Sequence, residues 1–275
     1  MAERAAPEAP PRAAGSPLEI LGVGVSTLTL GDTARRIVAW ALSSAADGAR
    51  VVCATTVHGL MEAWRDPGFR RILAEAAVLT ADGMPLVWIG ALRGHAGMER
   101  VCGPTLMLRV CEASAPLPVR HFFYGGAPGV AVRAGLRLEQ MIPGVHVVGA
   151  AAPPFGDTPG WAKEKLRDEI LRTRPHVLWV GLGAPKQELW MAQMAGKLDV
   201  PIMIGVGAAF DYIAGSKPHA PRYLRHVGLE WLFRLAVEPR RLWRRYLVGN
   251  VTFLWLLARE RLVGPSRPSG EDFFW

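Results

Sequence analysis

The sequence predicts an α/β fold, a largely parallel sheet covered by helices, and three observations predict it. Short runs of β-branched and aromatic residues alternate with longer amphipathic stretches, which is the pattern of parallel strands joined by crossover helices. Several runs end directly in glycine, at Gly125-Gly126, Gly181-x-Gly183 and Gly205-x-Gly207. Strands end this way where a phosphate or ring approaches the carboxyl edge of an open sheet. A chain of 275 residues, half of them apolar, suffices for one Rossmann-like domain and an appendage.

Taken in order, strands are expected at 18–25, 51–55, 77–80, 120–124, 145–149, 177–180 and 202–206. Helices are expected between them at 33–44, 85–92, 104–113, 129–141, 161–172 and 186–196. After Asp211 the pattern changes to basic, Trp-rich helix with a breaker at Pro239. The division that follows is a disordered leader over 1–17, a catalytic domain over 18–215, a basic helical appendage over 216–261 and a flexible tail over 262–275. The leader is rich in Ala and Pro and lacks a signal-peptide core.

Charge is concentrated rather than spread. Between Lys217 and Arg261 ten basic residues face three acids, which accounts for nearly all of the net +8. A partner carrying phosphates is expected at that end. Three cysteines, Cys53, Cys102 and Cys111, lie in apolar runs and read as buried reduced thiols of a cytosolic protein. No apolar stretch reaches the roughly 18 to 20 residues a spanning helix needs.

Several segments, in order, resemble the WecG/TagA/CpsF glycosyltransferase family. They are Ala81-Asp82-Gly83, Glu99-Arg100-Val101-Cys102-Gly103-Pro104, Phe123-Tyr124-Gly125-Gly126, Val180 through Glu188, Gly205 through Asp211, and Gly228 through Leu235 followed by Glu238-Pro239-Arg240-Arg241. The resemblance implies transfer of N-acetylmannosamine, its uronic acid, glucose or a related sugar from a UDP-sugar donor to a polyprenyl-diphosphate-linked acceptor. It further implies an inverting single displacement, in the synthesis of cell-surface polysaccharide.

By the same resemblance Asp82 is the general base that takes the proton of the acceptor hydroxyl, although the local sequence alone reads it as a cap for the helix near Pro85. Gln187 is implied to contact the nucleotide sugar; its bland alternative is a surface polar residue in a first helical turn. Gly125, Gly126 and Gly207 let the uridine diphosphate approach backbone amides, or serve ordinary turns. Asp211 binds uracil or ribose, or fixes the turn after it.

The leaving diphosphate needs its charge neutralised. No Asp-x-Asp pair occurs, and the seven histidines lack metal-ligand spacing. A metal-independent route is expected, with no cofactor and with Arg240, Arg241, Arg244 and Arg245 on the diphosphate; Arg234 is a further candidate. These arginines also suit an anionic membrane surface, and with Trp231, Trp243 and Trp255 they suggest a helix lying in the headgroup layer. The protein is thus expected in the cytoplasm, peripheral on the inner face of the plasma membrane. Its Trp- and Leu-rich helices offer a surface for a homo-oligomer. No nucleic-acid motif accompanies the charge.

Two departures stand out. Where the family usually reads Thr-x-Asn, this chain has Ala54-Thr55-Thr56 followed by Val57-His58, so Thr56 offers a hydroxyl but not an amide's paired donor and acceptor. His219 precedes Ala220-Pro221, where Arg is common, with Tyr223 in place of Trp. Two other classes are a dinucleotide-dependent oxidoreductase, from Gly22-Val23-Gly24, and a membrane-surface adaptor using the basic end alone. The first lacks the third glycine, whose place Thr27 takes.

Overall fold

The computed structural model describes residues 16–43, 48–153, 160–218, 220–221, 224, 228–243 and 248–263, with backbone alone at 160–163, 234, 241 and 261–263. Most of the expected leader, nearly all of the tail, and Arg244 and Arg245 lie outside the described residues.

Six parallel strands form the sheet: β3 (Arg50–Thr55), β4 (Val78–Ala81), β5 (Arg120–Gly125), β6 (His146–Ala151), β7 (Val177–Gly181) and β8 (Ile202–Gly205), in spatial order β4-β3-β8-β7-β5-β6. Alternation along each strand feeds two cores. Cys53, Leu79, Phe122, Leu178 and Met203 pack on one face, and Val52, Val78, Phe123, Trp179 and Ile204 on the other.

Helices α1 (Leu30–Ala41), α5 (Gly103–Ser114), α6 (Val130–Met141) and α9 (Ala209–Ile213) cover the second face through Ile37, Leu106, Ala134 and Phe210. The first face takes α2 (Val57–Arg65), α3 (Pro67–Ala74), α4 (Met84–Leu92), α7 (Gly160–Thr173) and α8 (Lys186–Met194). The C-terminal α10 (Glu230–Val237), α11 (Pro239–Trp243) and α12 (Gly249–Val263) follow. Phe253 and Leu256 of α12 are buried in that same core, so α12 is built into the domain's first layer.

The expected strand at 18–25 is instead a hairpin outside the main sheet. β1 (Leu18–Ile20) and β2 (Val23–Val25) pair antiparallel. Leu21 and Gly22 turn the chain with φ of 50° and 75°, as a two-residue hairpin requires. Gly22 therefore makes a hairpin turn and Gly24 a strand position, which removes the dinucleotide reading of Gly22-Val23-Gly24. Two helices unforeseen in the sequence, α2 and α3, fill the β3–β4 crossover. Their signal was Asp66-Pro67: the Asp66 Oδ1 accepts from the Gly68 and Phe69 N–H groups at 2.7 and 3.2 Å, with Pro67 in the first turn. The thiols of Cys53 and Cys111 are buried as expected, whereas Cys102 is half-buried just before α5.

A polar relay crosses the second core. Trp179 Nε1 can only donate, and it donates to His121 Nδ1 at 3.1 Å. The His121 proton therefore sits on Nε2, 3.0 Å from Ser114 Oγ, which in turn donates to the Cys111 carbonyl at 3.1 Å. Burial, helped by His176 and His146, pulls the His121 pKa down to about 3 from 6.5. The folded state thus refuses a proton that the unfolded chain accepts below about pH 6.5, so stability falls as pH drops from there toward 3. Urea unfolding at pH 7 and pH 4.5 is expected to show this loss. In His121→Phe the acid slope flattens, while stability at pH 7 drops by about 1–3 kcal/mol because Trp179 and Ser114 lose their partner.

Candidate active site

Parallel strands share one carboxyl edge, and the sheet order puts the loops after β4, β3, β8, β7 and β5 side by side along it. Asp82 follows β4 and Thr56 follows the adjacent β3; the Asp82 N–H donates to the Thr55 carbonyl at 2.7 Å, locking the two strand ends together. Gly83, not Asp82, is the N-cap of α4, so the capping role open in the sequence falls to the glycine. Thr56 is the N-cap of α2 without a side-chain capping bond. Asp82 and Thr56 line one cleft with His58, Gly83, Met84, Pro85 and Arg100, closed on its far side by Gly228, Glu230, Trp231 and Asn250.

Arg100 organises this cleft, a role the sequence did not reveal. Its Nη2 lies 3.3 Å from Asp82 Oδ1 and its Nη1 2.8 Å from Glu230 Oε2. Burial opposes the guanidinium charge, but the neighbouring anionic groups, Asp82 first among them, outweigh it and raise the Arg100 pKa above the ordinary arginine value. Arg100 Nε is buried without a hydrogen-bond partner. The segment holding Arg100 was noticed in the sequence, but a lone arginine in a loop carries no periodic signal. Only the fold sets it between carboxylates 18 residues before and 130 residues after it.

The glycine loops form a second, adjoining group. Gln187 is buried rather than a surface residue. Its Oε1 accepts from the Gly207 N–H at 2.9 Å and its Nε2 donates to Glu188 Oε1 at 2.9 Å. Burial raises the Glu188 carboxyl above the usual range. Gly126 N–H donates to the Gly181 carbonyl at 3.0 Å. The amides of Gly126 and Gly207 are therefore spent inside the protein, and what these loops present is close-packed backbone. A side chain at Gly125 would meet the Gly181 main chain, whereas Gly207, at φ 56°, has open space where a Cβ would stand.

Asp211 lies in α9, its main-chain carbonyl accepting from the Ser216 and Lys217 N–H groups at 2.8 and 3.2 Å, so it closes the turn after that helix. A second cleft is lined by Ala208, Tyr212 and Lys217 from this region and by Phe233 and Val237 of α10, Glu238 between the helices, and Leu242 of α11. The C-terminal helices thus wall both clefts over the carboxyl edge.

Among the described residues, the arginine lining the Asp82 cleft is Arg100; Arg240 is exposed on α11 and lines neither of these clefts. The side chains of Arg234 and Arg241 lie outside the described set, as do Arg244 and Arg245 entirely. Among the described residues no three His, Cys, Asp or Glu side chains gather in metal-holding geometry, and no helix is long and apolar enough to cross a membrane.

A family model for the glycosyl transferase WecG/TagA/CpsF family matches residues 18–267. The chain belongs to this family. It is an enzyme of the glycosyltransferase class. A member from Bacillus spizizenii, named N-acetylglucosaminyldiphosphoundecaprenol N-acetyl-beta-D-mannosaminyltransferase, is 29% identical over 226 residues, covering 82% of this chain and 84% of that protein. Membership sets aside the oxidoreductase and the non-catalytic adaptor. In this glycosyltransferase, the double ion pair is expected to matter for the fold as well as the site. Arg100→Gln removes an ion pair from each of two part-buried carboxylates, and unfolding free energy should fall by about 1–3 kcal/mol in denaturant titration. Adding Glu230→Gln should recover part of that loss.

Proposed function

We propose that this enzyme transfers a sugar from a UDP-sugar to a sugar acceptor carried on polyprenyl diphosphate at the inner face of the plasma membrane, in cell-surface polysaccharide synthesis. The observation that carries the reading is the cleft itself: a carboxylate at the end of β4, held by Arg100, in a chain matched to this family over nearly its whole length. The B. spizizenii relative's name supports the acceptor class, an N-acetylglucosaminyl diphosphoundecaprenol.

In the proposed mechanism Asp82 accepts the acceptor hydroxyl's proton as its oxygen forms a bond to the donor's anomeric carbon. The bond from that carbon to the diphosphate breaks, and UDP leaves with the electron pair. A sugar hydroxyl is a weak nucleophile until its proton is taken. One carboxylate suffices for this single, inverting displacement; Glu230, the other carboxylate in the cleft, is held by Arg100 at 2.8 Å. Arg100, 3.3 Å from Asp82 Oδ1, fixes that carboxylate in place. We assign the remaining diphosphate charge to arginines of the basic C-terminal span, Arg240, Arg241, Arg244 and Arg245, in a metal-independent reaction. Gln187, Gly125, Gly126, Gly207 and Asp211 are assigned to the donor side of the same edge, where the open face of Gly207 suits close approach of a nucleotide.

Asp82→Asn tests the base directly. Transfer to a lipid-diphosphate acceptor should fall about 10²–10⁴-fold while UDP binding persists; full-rate transfer would overturn the assignment. Thr56 in the cleft wall, where the family resemblance implies an Asn, points to a donor other than N-acetylmannosamine. Product mass spectrometry with a panel of UDP-sugars checks this, and strongest turnover of UDP-N-acetylmannosamine would count against it.

A further inference from the structure

The surface beside the Asp82 cleft is apolar where a water-facing surface is normally polar. α4 reads Met-Pro-Leu-Val-Trp-Ile-Gly-Ala-Leu, without one charged residue. Its outward positions are Trp88, 49% exposed, and Leu92, 75% exposed. α12 presents Val251, Leu254 and Trp255, 68%, 63% and 59% exposed, at the i, i+3, i+4 spacing of one helix face. Both helices bury their opposite faces, through Leu86, Phe253 and Leu256, in the same core, so the exposed stripes look outward on the same side.

The two helices are also tied at both ends. Met84 and Pro85 at the start of α4 and Asn250 at the start of α12 line the cleft together. Arg93, just after α4, pairs with Glu260 near the end of α12 at 3.3 Å. The two links stand roughly 14 Å apart along α4, with the cleft at one end. The rim is cationic: the Arg259 guanidinium stands 5.6 Å from the centre of the Trp255 ring, within the basic C-terminal span.

We propose that the α4–α12 surface seats in a lipid bilayer, with Trp88, Leu92, Val251, Leu254 and Trp255 in the outer acyl layer and Arg259 at the level of the phosphates. Aromatic and aliphatic groups beside arginine match the chemistry of that boundary, where the indole N–H groups of Trp88 and Trp255 reach polar headgroups while their rings stay among acyl chains. The inference rests on the reading of a membrane-linked acceptor and adds to it a helix of the sheet domain. An acceptor held in the bilayer by its hydrocarbon would meet the cleft where the two helices begin.

The test is co-sedimentation of the full chain with phosphatidylcholine–phosphatidylglycerol vesicles in high salt, where charge attraction is screened. No nucleotide sugar is present, so this test and the transferase reading fail independently. Leu92→Glu and Leu254→Glu should each lower the salt-resistant partition about tenfold or more, and Leu92→Ser should lower it less. Leu136→Glu, an exposed apolar position on α6, should leave it unchanged. Loss with Leu254→Glu but not Leu92→Glu would confine lipid contact to the C-terminal helix and overturn the proposal. So would variants that bind vesicles normally but change the oligomer's mass in light scattering.

Discussion

Two carboxylates share one cation in the wall of the cleft, and the site depends on that arrangement. Asp82 ends a strand of the sheet and Glu230 begins a C-terminal helix. Each would repel the other across a partly dry cleft, and Arg100 between them turns repulsion into two ion pairs. The same contact therefore orients Asp82 and holds α10 against the carboxyl edge. Removing a partner from such a pair is worse than never having built it, because the stranded charge keeps its desolvation penalty.

Next to this ionic wall, the edge is held by backbone. Gly125, Gly181 and Gly207 allow loops after three neighbouring strands to touch main chain to main chain, and Gln187 spends its amide on the Gly207 N–H. A buried Glu188 then fixes which way that amide points. Such a floor is rigid by construction: no polar atom of Gln187 is left to swing. The glycine-rich loops are thus better understood as a tightly packed platform than as a cradle of free amides.

α12 joins the two halves of the molecule's behaviour. Phe253 and Leu256 commit one face to the core, while Val251, Leu254 and Trp255 commit the other to the outside. A helix apolar on both faces has a second apolar neighbour or a lipid one. α4, without one charged residue and linked to α12 at both ends, extends that face to the cleft's entrance.

Much of this was legible in the sequence. The six main strands and the six helices expected between them are present, because period-two and helical hydrophobic patterns are local records of which face is buried. Asp82, Thr56 and the glycine loops could be named because the family resemblance singles out segments that each follow a strand. Three features depart from the sequence expectation: the hairpin at 18–25, since apolar alternation does not say which sheet a strand joins; the helices after Thr56, although Asp66-Pro67 carries their cap signal; and Arg100, which has no periodic signal.

The sequence by itself determined the fold class, the family and the edge of the sheet where chemistry belongs, since all three are written in neighbouring residues. The tertiary structure alone decided which cation meets Asp82 and which helices wall the cleft. Those contacts join positions 130 residues apart, and charge attraction depends on distance in space, not on distance along the chain.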